Sequence, residues 1–488
     1  MRTVAVSYFS VLLACSMNVH AQTPPAKSSG QDKVFRAGAS TSNITPPLGT
    51  PIVGNFVEPP ATQIHDELHA RCLVLDDGTT QLAFVIVDNV GINQEVFDEA
   101  KHQIHERTGL PEEHLLMSAV HTHSATSAAG GSGIRRGGWN IGKSLDEYQS
   151  FLARRISDGV QVAINNLEPA RIGWGSGKVP QHLFNRRWKM KEPVMNPFGE
   201  KDIVKMNPGI RNPDLLEPAG STDPQVSFIS VESTSGRPIA LLGNYSLHYV
   251  GGVPTGDISA DYFAVFADRI QELLKADRQD RPFVAMMSNG TSGDVNNINV
   301  REPAETYPPY AKMRIVADDV AKEVFRVYKT MHYQAWVQLK AAQSQLTLGV
   351  RRATPEMLAN AKKILARPDT AKPLFHSLEK VYAERILLMQ QEWPDKIDIK
   401  LQTFRIGDLG VAAIPFEVFT ETGLEIKAKS PYKSTFTIEL ANGSYGYLPT
   451  PEQHELGGYE TWLGTNKVEK NASRKIVSEL LALFSSLK

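Results

Sequence analysis

The stretch HARCLVLDDGTTQLAFVIVDNVGINQEVFDEAKHQIHERTG, residues 69–109, decides the fold class of this chain. Two apolar runs flank an Asp-Gly turn, which predicts a pair of antiparallel strands. The spacing of apolar residues then changes to that of a helix, which we expect to end at Gly109. Helices of similar quality are predicted at about 146–166, 260–275 and 310–330. The sequence therefore predicts a layered α/β fold, a mixed sheet with helices on its faces.

The remaining chain continues this interleaving of strands and helices. We expect one domain over residues 35–488, with a helical hairpin at 354–392, broken around RPDTAKP, as an insertion or cap. The further strand candidates are VSFISVES (226–233), PIALLGNYSLH (238–248), PFVAMMSNG (282–290), TFRIGDLGVAAIPFE (403–417) and STFTIEL (434–440).

The N-terminal stretch MRTVAVSYFSVLLACSMNVHA, residues 1–21, has the features of a signal peptide. It combines Arg2, an apolar segment and a Val-His-Ala end that suits cleavage before Gln22. We expect the polar residues 22–34 to form a flexible lead-in, and the mature protein to be periplasmic or secreted. In the alternative, the LLAC sequence makes Cys15 the anchor of a lipoprotein, although Leu13 fits that motif poorly.

Composition excludes several classes of function. The 488 residues include 52 Lys plus Arg against 53 Asp plus Glu, without a long run of one sign, so no nucleic-acid partner is indicated. No segment after the N-terminal stretch approaches the ~18 uninterrupted apolar residues of a membrane span. Cys72 would be the single cysteine after cleavage, and its place in an apparent strand predicts a buried, inert thiol.

Three apolar runs end in residues of the kind that bind metals. LLMSAV ends at His121, PIALLGNYSL at His248, and LGVAAIPF at Glu417. Loops at strand ends meet in layered α/β proteins, so distant parts of the chain can form one site there. Two histidines and a carboxylate are a common catalytic zinc set, which leaves a coordination position open for water.

Other motifs are weaker candidates. HDELH places His65 and His69 four residues apart, as in the helical half of a zinc site, but the alternation that follows predicts a strand, which would separate the two side chains. The serine-containing GGSGI (130–134) and GTSGD (290–294) both lack the G-x-S-x-G spacing of a nucleophile elbow.

Six sequence blocks together resemble the neutral ceramidases, the neutral/alkaline non-lysosomal family, in the order found there. The resemblance covers the chain from Arg36 to its end and implies the catalytic fold of that family and a lipid-like substrate. The blocks are AGASTSNITPPLGTPIVG (37–54), SAVHTHSAT (118–126), NYSLH (244–248), NGTSGDVNNIN (289–299), IPFEVFTETG (414–423) and NGSYGYLPTPEQHELGGYET (442–461).

The resemblance also implies roles for individual residues. One catalytic Zn²⁺ per chain would be bound by His121, His248, Glu417 and Tyr447. A second group would polarise the substrate carbonyl or stabilise the oxyanion, namely His123, Arg186 in LFNRRW and Tyr459.

Two departures from the family bear on the substrate. Where the ceramidases read G-D-V-S-P-N, this chain reads GDVNNIN, with Asn296 at the position of a serine required for ceramidase activity and Asn297 at the proline. An amide can donate and accept hydrogen bonds but cannot act as a nucleophile. We also expect no C-terminal immunoglobulin-like domain, because only one predicted helix follows the Tyr459 block.

The sequence therefore favours an exported, zinc-dependent hydrolase in which activated water attacks an acyl bond, most simply an amide. The alternative is a metal-dependent hydrolase of an ester, lactone or glycan-derived substrate, with Asn296 retuning the site. A third hypothesis, a non-catalytic zinc-stabilised binding protein, fits less well because structural zinc sites are normally closed and rich in cysteine. The sequence does not give the oligomeric state.

Overall fold

The computed structural model of this chain describes residues 33–54, 57–126, 128–129 and 137–488, together with Met1 and Ala5. Residues 34–488 form one compact unit. The predicted signal peptide, with Cys15, and the predicted lead-in fall almost entirely outside the described residues, and the GGSGI motif lies entirely outside them.

Strands make up much of the described chain. They are β1 (Arg36–Asn43), β2 (Gln63–Ile64), β3 (His69–Asp76), β4 (Gln81–Val87), β5 (Leu115–Ala119), β6 (Glu168–Lys178), β7 (Phe184–Asn185), β8 (Arg187–Met195), β9 (Lys201–Met206), β10 (Leu215–Pro218), β11 (Gln225–Ser233), β12 (Pro238–Tyr245), β13 (Asp257–Ile258), β14 (Val284–Asn289), β15 (Val295–Asn296), β16 (Leu339–Gly349), β17 (Lys396–Ile406), β18 (Leu409–Ile414), β19 (Glu417–Val418), β20 (Ser434–Glu439) and β21 (Tyr447–Leu448).

Helices alternate with these strands along the chain. They are α1 (Gln94–Thr108), α2 (Glu147–Asn165), α3 (Asp261–Leu273), α4 (Ala311–Tyr328), α5 (Pro355–Leu365), α6 (Glu379–Glu392), α7 (Thr420–Lys429), α8 (Pro451–Leu456) and α9 (Ala472–Ser486).

The longer strands form two main sheets. Eight strands pair in the order β14-β12-β11-β6-β1-β3-β4-β5, and four more in the order β16-β17-β18-β20. A pairing of only two residues between β1 and β6 joins the two halves of the larger sheet. A three-stranded ribbon, β10-β8-β9, and three two-stranded pairs complete the strand pairing of the described residues.

Alternating side chains divide the core. On β3, Leu73 and Leu75 face a core shared with residues of the second sheet, whereas Cys72 and Val74 face a core that includes residues of α1 and α2. This division follows from the two-residue period of a strand. Helices α3 and α4 pack against β14 and β6, and α9 packs against β16 and β17. The layered α/β fold predicted from sequence is therefore confirmed.

Several segments singled out in the sequence can be placed in the structure. The stretch at 69–109 forms β3, β4 and α1, and α1 ends at Gly109 in the left-handed conformation (φ 73°) that glycine adopts without strain. Cys72 is fully buried, and burial raises its pKa to about 12. The predicted hairpin at 354–392 contains α5 and α6, which contact each other. No described helix has the length and apolar content needed to cross a bilayer.

Candidate metal centre

The C-terminal ends of five strands of the two main sheets, with the loops that follow them, meet at one place. His121 follows β5, His248 follows β12, and Glu417 lies three residues beyond the end of β18. Ser292 follows β14, and Glu439 ends β20. Side chains from widely separated parts of the sequence therefore come within contact distance, as the strand-end argument predicts.

His121 is held in a strained backbone conformation. Its φ is 74°, in the left-handed region that non-glycine residues rarely adopt, at a cost on the order of 1 kcal/mol. Its Nδ1 lies 2.6 Å from the carbonyl oxygen of Val90, so Nδ1 carries the proton and donates it. This hydrogen bond leaves Nε2 as the ring atom of His121 at which a metal ion can take the place of a proton, the arrangement typical of a metal-binding histidine.

Three imidazole Nε2 atoms converge. Nε2 of His121 lies 3.1 Å from Nε2 of His248 and 3.0 Å from Nε2 of His123. Within the described chain, this trio is the group of histidine, cysteine and acidic residues with the spacing to hold a metal ion. Burial and the neighbouring cations His121 and Arg186 hold the pKa of His123 and of His248 well below the ordinary value, so both rings are neutral.

Glu417 supplies a carboxylate to the same cluster. Its Oε2 lies 3.3 Å from Nε2 of His121 and 3.8 Å from Nε2 of His248. That oxygen is buried and has no hydrogen-bond partner among the described residues. Burial alone would raise the pKa of Glu417, but His121 and Tyr447 lower it below its ordinary value, so the group is ionised. A buried carboxylate oxygen that has no hydrogen-bond partner and lies beside imidazole nitrogens fits a divalent metal ion.

Tyr447 and Arg186 are also neighbours of Glu417. The Tyr447 hydroxyl interacts with Glu417, and the guanidinium carbon of Arg186 lies 5.3 Å from the centre of the Tyr447 ring. Burial raises the pKa of Tyr447 well above its ordinary value. The phenol therefore needs the charge of a metal ion in order to ionise and act as a ligand.

His123 is closely packed by Tyr249 and Gly54. Its ring stacks on Tyr249, with 3.8 Å between ring centres and an angle of 17° between planes. Gly54 packs against His123 so closely that a Cβ on Gly54 would lie 2.6 Å from Cγ of His123, and the φ of Gly54 is 120°. Only glycine fits there, which explains the end of the PIVG sequence block.

A second layer of residues supports the ligands. Nδ1 of His248 lies 3.3 Å from the carbonyl oxygen of Ser292, and the Ser292 hydroxyl donates to Oε1 of Glu439 at 2.7 Å. The other oxygen of Glu439 accepts from the backbone N–H of Val418 at 2.7 Å, next to Glu417. Burial raises the pKa of Glu439 to about 8. Glu439 thus connects the backbone of Val418, next to Glu417, with Ser292, which orients His248.

A cavity of about 320 Å³ opens over the cluster. Its lining includes His121, His123, Glu417, Tyr447 and Tyr459. Burial raises the pKa of Tyr459, so its phenol stays protonated and can donate a hydrogen bond. Helix α6 contributes Arg385, Leu388 and Met389 to the same lining. The hairpin predicted at 354–392 therefore reaches the cavity.

Asn296 is placed differently from the other candidate residues. Its amide nitrogen donates to Oδ1 of Asn207 at 2.7 Å, and its amide oxygen accepts from the backbone N–H of Ile298 at 3.0 Å. Asn296 is absent from the described lining of the cavity. It pairs with Phe184 in the β7–β15 ribbon, two residues before Arg186. The Asn296 side chain therefore holds the backbone of the segment that pairs with the strand leading to Arg186.

The histidines of HDELH lie apart from the cluster. His69 begins strand β3, as the alternation predicts. The His65 ring stacks on Tyr310 with 3.7 Å between ring centres, and its Nδ1 lies 2.7 Å from Asp66. Neither histidine belongs to the cluster found in the described residues.

Sequence reasoning missed the supporting residues. Glu439 was detectable as the single charged residue in the apolar strand STFTIEL, since an acid in a buried strand needs partners. Glu460 directly follows Tyr459 and accepts hydrogen bonds from Arg186 at 2.8 Å and Arg187 at 2.6 Å. No pattern marked Tyr249, which is identified only by its stacking on His123.

Comparisons with known proteins relate the sequence of this chain to a family and its structure to a known fold. Residues 35–306 match the family model for neutral/alkaline non-lysosomal ceramidase, N-terminal. The crystal structure of neutral ceramidase from Pseudomonas aeruginosa matches with a TM-score of 0.66 at 17% identity, over 93% of this chain and 75% of that chain. A structure of a ceramidase complexed with C2 gives a TM-score of 0.67 at 16% identity, with the same coverage. Likeness at these identities shows a shared fold.

Proposed function

Because the chain belongs to the neutral/alkaline non-lysosomal ceramidase family, we propose that it is a zinc-dependent hydrolase of an acyl bond, most simply an amide. The observation that carries this proposal is the buried, unpartnered Oε2 of Glu417 beside Nε2 of His121 and His248. The proposed ligands are His121, His248, Glu417 and Tyr447. A Zn²⁺ ion held there would supply Lewis acidity, which lowers the pKa of water to about 7 and polarises a carbonyl.

His123 is the proposed proton carrier. Its ring is neutral, stacks on Tyr249 and is packed against Gly54, so its position is set before substrate binds. Hydrolysis adds the hydroxyl of water to the acyl carbon, breaks the carbon–nitrogen bond and delivers a proton to the leaving amine. A neutral imidazole can accept the proton of the attacking water and return it to the amine.

His123 lies as close to His121 as His248 does, so it is also within reach of the same ion. A proton carrier and a ligand differ in one measurable respect. As a proton carrier, His123 can be replaced without loss of metal, whereas His121 cannot.

Arg186 and Tyr459 are the proposed oxyanion donors. Nη2 of Arg186 is buried and has no partner among the described residues, although Glu460 holds the rest of the guanidinium. Tyr459 lines the cavity with a protonated phenol. A preorganised donor of this kind contributes about 3 kcal/mol to transition-state stabilisation.

A substrate screen with and without chelator tests the proposal. The purified protein should hydrolyse members of a panel of N-acyl amides, lose this activity after chelation, and recover it when Zn²⁺ is added. The Glu417→Gln variant should lack the activity at every Zn²⁺ concentration. Turnover that resists complete metal removal, or turnover of glycosides without any acyl compound, would overturn the proposed function.

A further inference from the structure

The segment that follows β12 carries a candidate metal ligand and the residue that packs on His123. His248 directly precedes Tyr249, whose ring stacks on His123 with 3.8 Å between ring centres. Tyr249 is absent from the described lining of the cavity, so it acts on the site through His123. The position of the His123 ring therefore depends on how the backbone at Tyr249 is held.

The backbone of Val250, the next residue, is held at both of its polar groups. The amide nitrogen of Asn297 donates to the carbonyl oxygen of Val250 at 3.1 Å and lies 3.4 Å from that of Tyr249. Oδ1 of Asp261 accepts from the N–H of Val250 at 3.0 Å, and Oδ2 accepts from the N–H of Gly251 at 2.8 Å. Two side chains from separate segments therefore fix the turn that carries Tyr249.

Gly251 joins this turn to the tyrosine ring. Its φ is 79°, and a Cβ there would lie 3.3 Å from Cε2 of Tyr249. The left-handed conformation lets the chain fold back against the ring, which glycine does without strain. A shift of the turn would therefore move the ring with it.

His248 has supports of its own. The carbonyl oxygen of Leu247 accepts from the hydroxyl of Tyr262 at 3.0 Å, and Nδ1 of His248 lies 3.3 Å from the carbonyl oxygen of Ser292. Neither contact involves Asn297. Loss of the Asn297 amide should therefore disturb the tyrosine more than the candidate ligand beside it.

Resting on the proposed function, we propose that Asn297 is a positioning residue for His123 and acts through Tyr249. Its amide holds the backbone of the turn, the turn sets the tyrosine ring, and the ring sets the imidazole that moves the proton. A small misplacement of a catalytic group can lower a rate by about a hundredfold. Asn297 stands where the ceramidase motif has a proline, whose side chain has no donor, so the motif lacks this support.

A charge-matched pair of variants tests this role. Asn297→Asp replaces the donating nitrogen by an oxygen that faces two carbonyl oxygens. Asn299→Asp adds the same charge at a position where the amide oxygen accepts from the N–H of Arg301 at 3.1 Å, as a carboxylate also can. With the best N-acyl amide of the panel, Asn297→Asp should lower kcat at least about tenfold, with KM within about twofold and zinc content unchanged. Asn299→Asp should match the wild type.

Variants of Tyr249 show whether the effect passes through the tyrosine ring. Tyr249→Leu should lower kcat by a similar factor, and Tyr249→Phe, which keeps the aromatic face, should restore most of it. In the Tyr249→Leu background, Asn297→Asp should have little further effect, and an undiminished loss there would overturn the inference. Asn297→Ala removes the donor without repulsion and gives the same comparison if circular dichroism shows that the aspartate variant does not fold.

A spectroscopic readout separates this inference from the proposed hydrolysis. The magnetic-resonance signals of the His123 ring, identified by their loss in His123→Gln, are shifted by the stacked tyrosine, and Asn297→Asp should move them toward their position in Tyr249→Leu. Such movement in a protein that hydrolyses no acyl compound would support the chain of contacts and overturn the hydrolase. In an active enzyme, unchanged His123 signals or an unchanged kcat in Asn297→Asp would overturn the positioning role and leave the hydrolase standing. Unchanged signals without any hydrolysis would overturn both.

Discussion

Glu460 holds Arg186 through a buried ion pair, with 2.8 Å between Oε1 of Glu460 and Nε of Arg186. Its Oε2 accepts a second hydrogen bond, at 2.6 Å, from Nη1 of Arg187. Glu460 and Arg187 are fully buried, so one carboxylate balances two cations in the interior. The pairing aligns the Arg186 guanidinium, whose Nη2 has no hydrogen-bond partner among the described residues.

We expect Glu460→Gln to destabilise the fold and to lower kcat. Two buried guanidinium groups would then face a neutral amide, and breaking such a pair costs about 3–5 kcal/mol. Urea unfolding followed by circular dichroism gives the stability, and turnover of the best amide substrate gives kcat. Glu455→Gln is the matched control on α8, because Glu455 is exposed and its pair with Lys470 is worth less than about 1 kcal/mol. Equal stability of the two variants would contradict this role.

Lys101 predicts a pH-dependent stability. It is buried on α1, its Nζ donates to Asn442 at 2.9 Å, and burial lowers its pKa from 10.5 to about 7. Between pH 7 and 10.5 the unfolded chain holds a proton that the folded chain has released, so stability rises with pH by up to about 1.4 kcal/mol per unit. Below pH 7 both states are protonated and the contribution is constant.

Comparison with Lys101→Met isolates that contribution. The free energy of unfolding of the wild type, minus that of Lys101→Met, should increase between pH 7 and pH 9.5, as measured by urea denaturation. All other titrating groups cancel in the difference. A difference that stays flat over this range would show that Lys101 is charged in the folded protein.

Asn296→Ser should affect stability more than substrate selectivity. The amide links Asn207 to the backbone of Ile298, and a serine cannot span both contacts, so the loss is about 1–2 kcal/mol. Because the side chain lies outside the described cavity lining, we expect no gain of turnover on a short-chain ceramide analogue. Thermal unfolding and an assay with the short-chain ceramide analogue check this. Ceramide turnover that appears only with serine would instead assign substrate selection to Asn296.

The export hypothesis predicts the mass of the mature protein. Cleavage after the Val-His-Ala sequence gives a soluble protein that begins at Gln22, which intact-mass spectrometry of protein made in an exporting host would detect. A mass that corresponds to a chain starting at a lipid-modified Cys15 would replace this prediction with membrane anchoring.

The sequence predicts the strongly patterned parts of this fold and fails where pattern is weak. The stretch at 69–109 combines apolar runs, an Asp-Gly turn and a glycine stop, and each became the expected element. Strand β6 was not predicted because its sequence EPARIGWGSGK is rich in glycine. Its Gly175 packs so closely on α4 that a Cβ there would lie 2.8 Å from Cγ1 of Val327, a contact that the local pattern cannot reveal.

In the candidate site, too, the sequence predicts residues that a local pattern marks and misses residues that act through distant contacts. Strand ends pointed to His121, His248 and Glu417 because an apolar run that stops at a metal-binding residue is visible in one segment. Glu439 matters through contacts between segments far apart in sequence, and only the folded chain brings these together.

Metal analysis of matched histidine variants tests the central claim most directly. The wild type, purified without chelator and dialysed against Zn²⁺-containing buffer, should contain about one zinc ion per chain by mass spectrometry. His121→Ala with His248→Ala should contain almost none while circular dichroism shows a folded protein, and His65→Ala with His69→Ala should match the wild type. Full zinc occupancy in the folded His121→Ala, His248→Ala protein would contradict the account.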